Sequence, residues 1–168
     1  MKITEEANQK MTERFGKDTV VSLATAEENV PYVRHVNAYY ENGAFYIITH
    51  ALSNKMNQIR QNSEVAIAGE WFTAQGKGIN LGYFGKEENS DVAEKLKKVF
   101  AEWIDNGHND FSDENTIILC VKLTEGLLSY HFVVFYISTV FMDNPSDSLT
   151  AKYVIRQHLP LLWRFFND

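Results

Sequence analysis

Residues 18–49 read DTVVSLATAEENVPYVRHVNAYYENGAFYIIT. Asp18–Ala26 is rich in β-branched residues, Glu27–Asn29 is a polar turn, and Val30–Tyr40 resumes as a strand. Glu41-Asn42-Gly43 then supplies a hairpin turn, and Ala44–Thr49 is a third strand. Connections this short join antiparallel neighbours, because parallel strands need a long crossover. The stretch is therefore a meander, and the domain is built on hairpins rather than on βαβ units.

Upstream, Ile3, Ala7, Met11 and Phe15 recur every four residues and Gly16 follows, which predicts a short helix with its stop. Downstream, Ser53 reads as an N-cap for a helix running through Arg60, with Met56 and Ile59 on one face. Glu64–Thr73 and Gly76–Phe84 read as two further strands. Ser90 or Asp91 opens an amphipathic helix whose stripe is Val92, Leu96, Val99, Phe100 and Trp103, with Asn106-Gly107 ending it. Thr116–Leu123 is a core strand and Leu127–His131 starts another. The expected fold class is mainly β with flanking helices.

The whole chain has 168 residues, the length of one domain or of one domain with an appendage. A single cysteine excludes an intramolecular disulfide and any cysteine-cluster metal site. The net charge of −6 argues against a nucleic-acid partner, which needs a basic footprint. The N-terminal stretch is polar and acidic, without the apolar run of a secretory leader. The longest apolar run, Phe132–Met142, falls well short of the roughly 20 residues of a membrane span. The expectation is a cytoplasmic protein with no membrane partner and no metal.

The chain changes character near His131. All nine glycines precede it, and aromatic residues are concentrated after it. The organisation expected is a domain over residues 1–131 and an atypical C-terminal extension over 132–168. That extension reads either as a segment packed on the domain, a partner-binding segment, or sequence foreign to it through a fusion or a shifted frame. Exposed, its Phe132–Phe141 stretch would be an aggregation-prone strand.

Two groups of residues could carry chemistry. Arg34 sits mid-strand, and Lys55 sits in the first turn of the helix capped by Ser53. A helix N-terminus with free N–H groups, a hydroxyl and a lysine is a natural phosphate seat, and an arginine from a neighbouring strand adds a bidentate contact. Spacing alone favours two solvated surface charges over a site. The second group is WFTAQGKGINLGYFG, residues 71–85, which is neither a P-loop nor a dinucleotide fingerprint. Its glycines mark either bulges and close strand crossings or a backbone approached by a flat ligand, with Gln75 or Lys77 at its edge. His35 and His50 flank the strand pair that carries Arg34; no histidine has metal-ligand spacing. Cys120 lies in an apolar run and reads as an inert buried thiol. No catalytic residue stands out.

Arg34 on the second strand, Tyr46–Thr49 on the third and Ser53-Asn54-Lys55 opening a helix occur in a recognisable order. With the glycine-punctuated strand, the amphipathic helix and TIILCVKLTEGLLSYH, the chain resembles the pyridoxamine 5′-phosphate oxidase-like FMN-binding split-barrel family over residues 3–131. The likeness is to its small general-stress-protein type. The resemblance implies a six-stranded antiparallel split β-barrel that forms a homodimer, with FMN between subunits. It implies that Arg34, Ser53 and Lys55, with Asn54, hold the phosphate. The backbone at His35, Val36 and Asn37 would line the ring, and Ile48 and Thr49 would lie against the ribityl chain or ring. Trp71 and Gln75 are further carry-overs to the cofactor. The substrate-binding C-terminus of the true oxidases is missing, which argues against vitamin B6 oxidation. What is expected is a flavoprotein oxidoreductase passing electrons from a reduced donor, such as a nicotinamide, to a small molecule. The alternatives are a flavin carrier or stress-related sensor, or a barrel that holds deazaflavin or heme.

Overall fold

The computed structural model describes residues 5–130 and 133–138. The helix α1 (Glu5–Phe15) leads into β1 (Thr19–Glu27), β2 (Val30–Glu41) and β3 (Ala44–His50). Both hairpins turn through consecutive positive-φ residues, Glu28-Asn29 and Asn42-Gly43, the backbone that two-residue hairpins favour. The chain continues through α2 (Asn54–Gln61), β4 (Glu64–Gly69), β5 (Phe72–Tyr83), α3 (Ser90–Val99), β6 (Thr116–Tyr130) and β7 (Val133–Ser138). A single turn of 3₁₀ helix, Glu87–Asn89, precedes α3.

Strand order is β3-β2-β1-β4-β5-β6-β7, and β3 also pairs with β6, from Ala44↔Lys122 to His50↔Thr116. That pairing closes six antiparallel strands into the expected split barrel, leaving β7 as an addition along the far half of β6. Alternation along the strands sorts the side chains. Val21, Leu23, Ala38, Tyr40, Phe45, Ile47, Val65 and Ile67 point inward and are buried. At one end α1 closes the barrel with Ala7, Met11 and Phe15, and Phe15 packs against Phe45 and Phe72 at 5.6 and 5.3 Å between ring centres. At the other end α2 buries Met56, Gln58 and Ile59. A side chain at position 78 would put its Cβ 2.9 Å from Ile59 Cγ2, so Gly78 lets α2 sit down on β5. A second cluster lies outside the barrel, where Ala93, Leu96 and Phe100 of the α3 region cover Ile118, Tyr46 and Ile48.

Three expectations are corrected. The β4–β5 turn is at Glu70-Trp71, not between Thr73 and Gly76. Phe72 and Ala74 continue the inward alternation, and Arg14 of α1 holds the turn through its bond to Glu70 O at 2.8 Å. Thr116–Leu123 and Leu127–His131 do not form separate strands, since β6 runs unbroken from Thr116 to Tyr130. Its apparent interruption is a bulge, where Gln75↔Glu125 is followed by Gly76↔Leu123 and Thr124 is the extra residue. The helix expected to reach Trp103 ends at Val99, and Phe100, Trp103 and Ile104 follow in single turns that keep them on the outer cluster. Ile3 lies outside the described residues, as does residue 131. Of the 132–168 extension only Val133–Ser138 is described, as β7 on β6. No helix among the described residues is long and apolar enough to cross a membrane.

Candidate functional site

Where β3 leaves the barrel, Ala51 N–H donates to Asn115 O at 2.8 Å and Ser53 N–H to His50 O at 3.1 Å. The chain then turns into α2, with Ser53 at the N-cap in an extended conformation. A serine there usually accepts a hydrogen bond from the helix's first turn. Ser53 makes no such bond. Its Oγ is fully buried and is the one buried side-chain polar atom without a partner among the described residues. Such an atom costs about 1–3 kcal/mol unless something satisfies it.

Two residues on, the half-buried Lys55 makes no ion pair or hydrogen bond among the described residues. Burial, and then the nearby Arg34 charge, hold the Lys55 ammonium below the ordinary lysine pKa. Arg34 sits on the inward face of β2, in register with Leu23. Its Nη1 donates to Thr25 Oγ1 at 2.6 Å and to Leu23 O at 3.4 Å, and its Nη2 donates to Gln58 Oε1 at 3.0 Å. Burial lowers its pKa as well. Two coupled cations and a buried hydroxyl thus lie around the start of α2, and among the described residues no carboxylate pairs with either cation. An uncompensated arrangement of this kind suits an anion, and the leading N–H groups of α2 add to it.

The other expected residues are distributed by strand alternation. Val36 shares the inward side with Arg34 and packs half-buried on the main core. His35 is exposed on the opposite side, its Nδ1 3.3 Å from Ser22 Oγ, and Asn37 donates to Asp18 Oδ1 at 2.9 Å. Thr49 is buried on the side of Phe45 and Ile47, whereas Ile48 packs in the outer cluster under α3. Side chains of Ile48 and Thr49 therefore face different regions of the chain. Asn54 is exposed in the first turn of α2.

Trp71 and Gln75 stand apart from the mouth. Trp71 is 71% exposed at a φ of 52°, on the α1 end of the barrel. Gln75 lies on the outer face of β5, in register with Ala66. It helps line an apolar groove of about 440 Å³ with Ser22, Ala24, Val33, Ala68 and Leu127. Within the chain neither residue joins Arg34 and Lys55.

Thr25, Gln58 and Glu27 were not anticipated. Thr25 and Gln58 are each 3% exposed, and Gln58 Nε2 reaches Glu27 Oε2 at 3.5 Å. The only prior signal was a threonine continuing the inward series of Val21 and Leu23.

No family model and no curated protein matches the sequence. Solved structures do match the fold. A putative pyridoxamine 5′-phosphate oxidase from Listeria innocua aligns with a TM-score of 0.54 at 12% identity, over 73% of this chain and 94% of that one. General Stress Protein 26 from Bacillus anthracis gives 0.54 at 16%, over 77% and 92%. A heme binding protein from Mycobacterium smegmatis gives 0.60 at 11%, over 82% of this chain and 60% of its own. The chain is a split-barrel protein of the pyridoxamine 5′-phosphate oxidase-like fold. At these identities the likeness is one of fold.

Proposed function

We propose that this is an FMN-binding flavoprotein in which Ser53, Lys55 and Arg34 hold the cofactor's phosphate. The observation that carries this reading is the orphaned, fully buried Ser53 Oγ at the start of the helix that carries Lys55, with Lys55 coupled to Arg34 and neither cation paired to a carboxylate among the described residues. A phosphomonoester brings nearly two negative charges and several strong acceptors. It would accept from the Ser53 hydroxyl, compensate Lys55 and occupy the donors that Arg34 has left. The resemblance described above supports flavin over other phosphate esters.

When bound, FMN supplies the electron-transfer chemistry. The chain's own residues bind the phosphate, orient the ring and limit water. With the flavin as the redox centre, the reaction reads as electron exchange between a reduced donor and a small acceptor. Carriage of flavin without turnover is the runner-up, and turnover with a reduced nicotinamide separates the two.

The second subunit of a homodimer would cover the outer groove. Val33 and Leu127 are 68% and 47% exposed there, an apolar surface of the kind that marks an interaction site. Pairing would bring Gln75, and Trp71 from the far end, toward a neighbouring subunit's cofactor.

An absorbance spectrum of the purified protein, with chromatography of the chromophore released by heat, tests the reading. Released FMN near one per chain is the expected result. A heme spectrum, or a colourless protein that ignores added FMN, would overturn it.

A further inference from the structure

The two polar side chains buried beneath the mouth have no place in the reading so far. Thr25 continues an otherwise aliphatic inward face, and Gln58 is the buried polar residue of α2. Burying an amide and a hydroxyl is unfavourable unless each is hydrogen-bonded. Both direct their bonds to a single group. Thr25 Oγ1 and Arg34 Nη2 both donate to Gln58 Oε1, at 2.5 and 3.0 Å, while Arg34 Nη1 donates to Thr25 Oγ1 at 2.6 Å. Two donors converge on Oε1, which identifies it as the carbonyl oxygen. The opposite end of the amide donates to Glu27 Oε2 at 3.5 Å, so that carboxylate turns the carbonyl toward the arginine.

We infer that Gln58, with Thr25, is a positioning residue that presents the Arg34 guanidinium to a phosphomonoester; this rests on the phosphate reading above. A guanidinium carries five N–H donors. Three are engaged by Thr25, Leu23 and Gln58, leaving the Nε–H and one Nη2 hydrogen for an anion. Gln58 also lies three residues after Lys55, a spacing that puts both on one side of α2. A single helix therefore carries the hydroxyl, the second cation and the clamp on the first cation. Without the clamp, Arg34 is a long side chain at an open mouth, held only by its long bond to Leu23 O at 3.4 Å. Its mean distance from the anion then rises although its charge is unchanged.

The test compares binding of FMN with binding of riboflavin, which has the same ring without phosphate, by quenching of flavin fluorescence. Gln58→Met keeps the side chain's length and removes its hydrogen bonds. FMN affinity is expected to fall about tenfold, the scale of one charged hydrogen bond, with riboflavin affinity within twofold of wild type. Equal losses for both ligands would make Gln58 a purely structural residue, and an unchanged FMN affinity would remove its role altogether. If Gln58→Met does not fold, Thr25→Val loses the other contact isosterically and is read by the same ratio. Wild-type protein that binds riboflavin as tightly as FMN would overturn the phosphate reading itself, an outcome distinct from failure of the clamp.

Discussion

Lys55 lies in the field of the Arg34 guanidinium, and among the described residues neither has a carboxylate paired with it. The two like charges oppose each other in a half-buried setting, so the site costs stability when empty and is relieved when an anion binds. Replacing both residues by alanine is expected to lower FMN affinity tenfold or more, since each charged hydrogen bond is worth about 1.5–3 kcal/mol. Fluorescence titration of a folded double variant checks this, and wild-type affinity would refute the assignment.

The same pair sets a pH dependence. Lys55 has a folded-state pKa below its ordinary value of 10.5, burial being the larger cause and Arg34 the next. The unfolded chain therefore binds more protons across the window between the lowered pKa and 10.5, and stability must rise with pH there. Below that window the burial of the charge is a constant cost. Lys55→Met should flatten this segment of the curve of melting temperature against pH and raise the melting temperature at pH 7. The measurement is thermal unfolding of flavin-free protein, and a slope unchanged by the substitution would contradict it.

Ser53 makes a sharper separation between folding and binding. A capping serine replaced by alanine ordinarily costs about 0.5–2 kcal/mol. Here the hydroxyl makes no cap bond and is buried without a partner. Ser53→Ala should leave the flavin-free melting temperature unchanged or slightly raised, while FMN binds severalfold more weakly. A drop in stability equal to that of an ordinary cap, with binding intact, would make Ser53 a helix device and no more.

The outer groove provides the test of assembly. Val33 is the most exposed of the groove's large apolar residues, at 68%. Val33→Glu places a charge where a second copy would pack, at a site whose loss costs one subunit almost no burial. Light scattering should then report a monomer in place of a dimer, with weakened FMN binding. A wild-type monomer that binds FMN tightly would defeat the dimer.

Much of the barrel was legible because alternation needs no tertiary context. From Val21 to Leu23, and from Phe45 to Ile47, each inward residue announces its face. The β4–β5 turn was not legible, because Trp71 has no turn propensity and the reversal depends on Arg14 reaching Glu70 from another element. Thr124 and Gly126 likewise look like a break in isolation, and only pairing with β5 shows a bulge. In the site, cations and a capping serine announce themselves by type. Gln58 does not, because a glutamine on a polar-looking helix gains meaning only once closure of the sheet puts Thr25 and Arg34 beneath it. Trp71 and Gln75 show the converse, being grouped with Arg34 by sequence order but set apart from it in the folded chain.

The outer cluster predicts an effect on stability that leaves binding alone. Trp103 donates its indole N–H to Asp18 Oδ2 at 2.5 Å, and Asn37 donates to Oδ1 of the same carboxylate at 2.9 Å. This ties the segment after α3 to the start of β1 and to β2, on the side of the barrel opposite the inward Arg34. Trp103→Phe keeps most of the ring contact with Phe100, now 4.8 Å between centres, and removes the donor. A carboxylate that loses one of two partners while half-buried should cost about 1–2 kcal/mol, or a few degrees of melting temperature. FMN affinity should not change, because nothing in this contact reaches Ser53, Lys55 or the Thr25–Gln58 clamp. Thermal unfolding and flavin titration on the same preparation measure both. A loss of affinity comparable to that of the Arg34 and Lys55 variant would mean that the α3 region supports the cofactor site and not only the barrel wall.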